Sequence, residues 1–178
     1  MCRTNDDIKA RVRNLLDENG VEYDWLDHER VFSMEECRPI SERLGARHCK
    51  NLLLTNRQKT RFYLLLTDES PFRTAVFSRA LGVSRVSFVP GEDMPGLLGV
   101  MPGSASPLAL MNDPEGRVRL AIDRRVIAWP RVSLHPGDST ASLALRTEDM
   151  LRLCREALGH EYDIVDLSGA EEQSAGRV

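Results

Sequence analysis

The chain has no apolar run approaching the roughly 20 residues that a membrane-crossing helix needs. Its opening, Met1-Cys2-Arg3-Thr4-Asn5-Asp6-Asp7, lacks the apolar stretch of a secretory signal, so a cytoplasmic location is the expectation. Cysteine is sparse. The four, at 2, 37, 49 and 154, form no C-x-x-C pair and show no zinc-type spacing with histidine, which argues against a metal site and a disulfide framework. Free thiols suit a reducing compartment. A formal net charge of -3 is not that of a protein gripping long nucleic acid through many phosphates, so DNA is not an expected partner. A small contact with the end of an RNA is compatible with it.

At 178 residues, 42% hydrophobic and 29% charged, the sequence has the size and balance of one globular domain, expected over residues 1–167. From Ser168 to Val178 it carries almost no apolar anchor, and a mobile tail is expected there.

Local patterns predict the elements. Ile8, Val12, Leu15 and Leu16 share one helical face, and Gly20 suits a left-handed stop. Val21, Tyr23 and Trp25 alternate with acids as in a half-wet strand. Ser33-Met34-Glu35-Glu36 reads as a capping box, with a break expected at Pro39. The runs 52–55 and 62–67, joined by a polar connector, read as a hairpin with Lys50 at its start. Ser70-Pro71 suggests the start of a helix that stops at Gly82. Residues 108–111 and 117–122 suggest another hairpin, 86–88, 132–134 and 141–145 further strands, and 147–160 a closing helix. The expected fold class is mixed α/β (α+β): a mainly antiparallel mixed sheet with helices packed around it.

Three segments stand out: His48-Cys49-Lys50-Asn51 before an apolar strand, Gly103-Ser104-Ala105-Ser106-Pro107, and His135-Pro136-Gly137-Asp138-Ser139-Thr140-Ala141. By itself a lysine at a strand edge is most often a solvated charge, and a Gly/Pro/Ser segment is most often a turn. In this order, however, the three segments resemble the free-standing aminoacyl-tRNA editing proteins of the YbaK/ProX superfamily, in particular the prolyl-tRNA editing branch. The resemblance spans roughly residues 5 to 167.

That resemblance implies a fold, an activity and a set of site residues. The fold would be a single YbaK/ProX-like domain. The activity would be deacylation of mischarged tRNA, with Ala-tRNA(Pro) favoured over esters of cysteine, serine or threonine. The alternative is a non-catalytic module that binds an aminoacyl end or a synthetase. Lys50 aligns with the lysine that the family requires for deacylation. Asn51, Gly103, Ser104, Ala105, Ser106, Pro107 and His135 fall on substrate-pocket positions. His135 is a positioning residue in this reading rather than a general base. His28, His48 and His160 carry weaker signals, those of surface or hydrogen-bonded residues. His48, Cys49 and Ala105 depart from the commoner family pattern, which bears on substrate size. No cofactor is implied. The partners would be the acceptor end of tRNA(Pro) and prolyl-tRNA synthetase, with Lys59, Arg61, Arg73 and Arg79 as a candidate patch for the acceptor stem.

Overall fold

The computed structural model describes residues 5–168. The candidate tail from 169 onward and residues 1–4 lie outside the described residues. Helix α1, Asn5–Glu18, buries Ile8, Val12 and Leu16. Gly20, at φ 63°, closes it, with Val21 N–H donating to Leu16 C=O at 3.0 Å.

Strand β1 (Tyr23–Asp27) is followed by α2 (Met34–Arg43), whose capping box joins Ser33 and Glu36. Pro39 does not break α2. It lies on the exposed face and its cost is confined to one helical hydrogen bond, while Cys37 and Ser41 anchor the other side in the protein. Then come β2 (Arg47–His48), β3 (Lys50–Asn56) and β4 (Phe62–Thr67). Helix α3 (Thr74–Leu81) begins later than Ser70-Pro71 suggests and stops at Gly82, φ 68°. Ser70 is occupied otherwise, since its N–H donates to the Asp68 carboxylate at 3.0 Å and its C=O accepts from Lys50.

After β5 (Val86–Phe88) and α4 (Met94–Leu98), residues Pro107–Asn112 form a 3-10 helix in place of the expected strand. The reason is local: Ser106 Oγ accepts from Leu108 N–H as an N-cap, and Pro107 supplies a helical φ at the first position. Strand β6 (Val118–Asp123) therefore has no hairpin partner and pairs in parallel with β4. The rest is α5 (Arg124–Ile127), β7 (Arg131–Leu134), β8 (Ala141–Arg146), α6 (Thr147–Arg152) running into a π turn at Leu153–Ala157, and β9 (Tyr162–Val165).

The mixed α/β class holds, with two sheets rather than one. One has the order β1-β8-β7-β2, the other β5-β3-β4-β6-β9. Antiparallel pairing joins β1/β8, β7/β8, β3/β4 and β3/β5, while β2/β7, β4/β6 and β6/β9 are parallel, which the long excursions between those strands allow. Leu64 and Leu66 of β4 face the main core, which α1 and both sheets share, whereas Tyr63 and Leu65 face a second cluster with Phe77 of α3. That alternation explains why β4 reads as a continuous apolar run: both faces are covered.

Candidate active site

The chain passes from one sheet to the other within a single residue. β2 ends at His48 in the four-stranded sheet and β3 begins at Lys50 in the five-stranded one. Cys49 is the junction. Its N–H donates to Ser133 C=O on β7 at 3.1 Å, its thiol donates to Thr67 C=O on β4 at 3.6 Å, and it is fully buried, which pushes the thiol pKa up. Residues on either side of it thus open onto the seam between the sheets. A cleft of about 410 Å³ lies there, and its lining includes Lys50, Asn51, Gly103, Ala105, His135, His48 and Cys37.

Lys50 stands opposite Thr67 in the β3/β4 ladder, and its half-buried ammonium donates to Ser70 C=O at 3.0 Å and Glu69 C=O at 3.5 Å. Behind it lies an ionic network. Arg125 meets Asp68 at 3.1 Å and Asp123 at 2.7 Å, and donates to Ser70 Oγ at 2.9 Å. Asp123, buried, also accepts from Thr67 Oγ1 at 2.8 Å. Burial lowers the Lys50 pKa from its ordinary 10.5; Asp68 and Glu69 oppose the shift and Arg125 adds to it. The network holds the segment whose carbonyls grip Lys50, so the ammonium is aimed by the backbone rather than quenched in a direct ion pair.

Asn51 donates through Nδ2 to Cys49 C=O at 3.0 Å, and its buried Oδ1 has no hydrogen-bond partner. Asn51 itself is part of the cleft lining.

The part of the lining carried by α2 and the four-stranded sheet is neutral. His135 follows β7, is 5% exposed, and donates through Nδ1 to Ala141 C=O at 2.9 Å, which places its free lone pair on Nε2, 3.8 Å from Cys37 Sγ. Burial lowers its pKa despite the opposing Ala141 bond, so the imidazole is uncharged at neutral pH. His48 packs on it with ring centroids 5.0 Å apart; burial first, then His135 and His28, pushes its pKa down to about 3. Cys37 is pushed up to about 11 by burial and by Glu36. The loop after His135 tolerates little change: Gly137 has φ 81°, and a Cβ there would lie 2.3 Å from Ile8 Cδ1.

Of the 103–107 segment, Gly103 and Ala105 line the cleft. Ser104, Ser106 and Pro107 are buried beside it, with Ser106 and Pro107 starting the 3-10 helix. Gly91 closes the same wall so tightly that a Cβ would meet Pro102 Cγ at 2.7 Å. Several residues go unseen in the sequence. Arg125, Asp123 and Asp68 carry no motif, and Phe32 and Phe88, 81% and 56% exposed on the cleft lining, give no signal beyond their apolarity. Lys59 pairs with Asp93 at 3.3 Å, and Arg61, Arg73 and Arg79 are exposed. Among the described residues no helix is long and apolar enough to cross a membrane.

Comparison with known proteins agrees with this geometry. The prolyl-tRNA editing protein ProX of Acetoanaerobium sticklandii is 25% identical over 162 residues, covering 90% of this chain and 98% of its own. The prolyl-tRNA synthetase associated domain-containing protein 1 of Danio rerio is 26% identical over 152 residues, covering 84% of this chain and 83% of its own. Among solved structures, a candidate trans-editing enzyme for prolyl-tRNA synthetase shares the fold at a TM-score of 0.65 and 18% identity, covering 89% of this chain and 96% of its own. Residues 28–153, a span from before α2 into the closing helix that contains Lys50, the 103–107 segment and His135, match the aminoacyl-tRNA editing domain, and the chain belongs to that family.

Proposed function

We propose that this protein is a trans-editing aminoacyl-tRNA deacylase that hydrolyses the ester of mischarged tRNA, with Ala-tRNA(Pro) as its substrate. The observation that carries the reading is the placement of Lys50: a half-buried ammonium, held by two backbone carbonyls, at a cleft that also contains Asn51, Gly103, Ala105 and His135.

An aminoacyl ester is intrinsically reactive, so positioning and charge stabilisation supply most of what is needed. Water attacks the ester carbonyl, assisted by the free hydroxyl of the terminal ribose, and Lys50 stabilises the oxyanion or the neighbouring phosphate. Asn51, on the cleft lining, supplies an amide that can turn to meet the substrate's α-ammonium group. His135, neutral and fixed by Ala141, shapes the pocket rather than carrying a proton. Phe32 and Phe88, exposed on the cleft lining, offer stacking faces for the terminal bases of the acceptor end. A synthetase that holds proline cannot strongly reject a smaller amino acid, since lost methylenes cost the intruder only about 1 to 3 kcal/mol. A second pocket that sterically excludes proline corrects the error.

The test is release of labelled amino acid from Ala-tRNA(Pro), with Pro-tRNA(Pro) and cysteinyl, seryl and threonyl esters in parallel. Turnover of the alanyl ester alone, lost on Lys50→Ala, is the expected result. Turnover of another ester relocates the specificity, and protection of the ester without turnover makes the chain a binding module.

A further inference from the structure

We infer that Cys37, His48 and His135 form a binding site for one borderline-soft divalent ion of the zinc class in the wall of the cleft. Each offers one ligand atom, and the three atoms lie within 4.8 Å of one another. Cys37 Sγ and His135 Nε2 are already 3.8 Å apart. Around a tetrahedral zinc, bonds of about 2.0 Å to nitrogen and about 2.3 Å to sulfur imply ligand-to-ligand edges of about 3.3 to 3.6 Å. Closing the trio onto an ion therefore takes shifts on the order of 1 Å.

The orientation of the ligands is set in advance. His135 donates through Nδ1 to Ala141 C=O at 2.9 Å, the carbonyl partner that a metal-bound imidazole uses to fix its tautomer and aim the other nitrogen. His48 Nδ1 stands 3.5 Å from Ser133 Oγ, a contact that helps hold the ring in place. Cys37 comes from α2, His48 from β2 and His135 from the residue after β7, so regular elements rather than one loop hold the trio.

All three residues also line the cleft, so a ligand in it can take the remaining coordination position. Three protein ligands with one position open is the arrangement of a reactive or exchangeable zinc site, not of a closed structural one. A thiolate with two imidazoles selects zinc, cobalt or nickel over magnesium or calcium. On coordination the Cys37 thiol releases its proton to solvent and binds as thiolate. Metal binding shares His135 and the cleft with the deacylase reading but is tested separately from it, because Lys50 is not a ligand and the proposed hydrolysis uses neither Cys37 nor His48.

The experiment uses full-length reduced protein, stripped with chelator and desalted, then titrated with Co²⁺ as the probe. One equivalent is expected to bind, with a thiolate-to-cobalt charge-transfer band and tetrahedral visible bands, and Zn²⁺ displaces it. Cys37→Ser abolishes the charge-transfer band. His48→Gln, at a half-buried position, weakens cobalt binding at least about tenfold. Cys154→Ser, which removes a buried thiol outside the cleft lining, changes nothing. Cooperative thermal unfolding of each variant shows that it is folded. Absence of stoichiometric cobalt binding, a band that survives Cys37→Ser, or affinity unchanged in His48→Gln overturns the proposal.

Discussion

The two walls of the cleft handle burial in opposite ways. On the five-stranded side a cation sits half-buried, and an ionic network of Arg125, Asp68 and Asp123 supports the segment that holds it. On the four-stranded side His135, His48 and Cys37 are close together, and burial keeps all three uncharged. A charge out of water is stable only when polar groups surround it, whereas imidazole and thiol can lose or keep a proton and become neutral. The lysine wall is therefore built to present charge, and the histidine wall to present shape and lone pairs.

The sharpest way to break this contrast is to make the lysine wall neutral. Lys50→Met is expected to lower deacylation at least about 100-fold, the size of losing one oxyanion donor, while the unfolding midpoint stays level or rises. The sign comes from the lowered pKa. Below the folded-state pKa both folded and unfolded chains carry the ammonium, and the folded chain bears the whole burial penalty; the penalty fades only as pH rises from there towards 10.5. Enzymatic turnover, corrected for spontaneous ester hydrolysis, falls on the alkaline side before pH 10.5 for the same reason.

Removing the support rather than the charge is the next largest change. Arg125→Met leaves the buried Asp123 carboxylate without its guanidinium partner, and a loss of about 3 kcal/mol in urea unfolding is expected. Gly137→Ala strikes the other wall: a positive φ and the clash with Ile8 cost about 2 kcal/mol, read in the same unfolding experiment. At the cleft's edge, Phe88→Ala is expected to raise KM for the mischarged tRNA about tenfold with kcat nearly unchanged, if a base stacks there. Ser106→Ala is the mildest. It removes the cap of the 3-10 helix and costs about 1 kcal/mol, whereas loss of a catalytic serine would abolish turnover.

Much of the cleft is legible before folding. Lys50, Asn51, Gly103, Ala105 and His135 stand in recognisable segments and line one cavity. The helix stops at Gly20 and Gly82 come from residue type, since glycine enters the left-handed region without steric cost. The strand expected at 108–111 shows the limit of periodicity: a short apolar run buried on all sides looks the same as strand or helix, and the Ser106-Pro107 cap decides it. Cysteine and histidine spacing compares neighbours along the chain, so it does not register that Cys37, His48 and His135 meet across one sheet and a helix.

The features that can be read from the chain alone are therefore local or motif-borne: the alternation of β1, the apolar run of β4, the capping box of α2, the lysine at the start of β3, and the family that the three segments around Lys50, 103–107 and His135 resemble. Where the chain changes sheets is settled only in three dimensions. That crossing at Cys49 turns His48 and Lys50 towards one cleft, backs the lysine with Arg125, and sets a neutral histidine pair with a thiol on the four-stranded side. The division arises because caps and turns act over four or five residues, whereas sheet packing and charge burial are set by partners dozens of residues away.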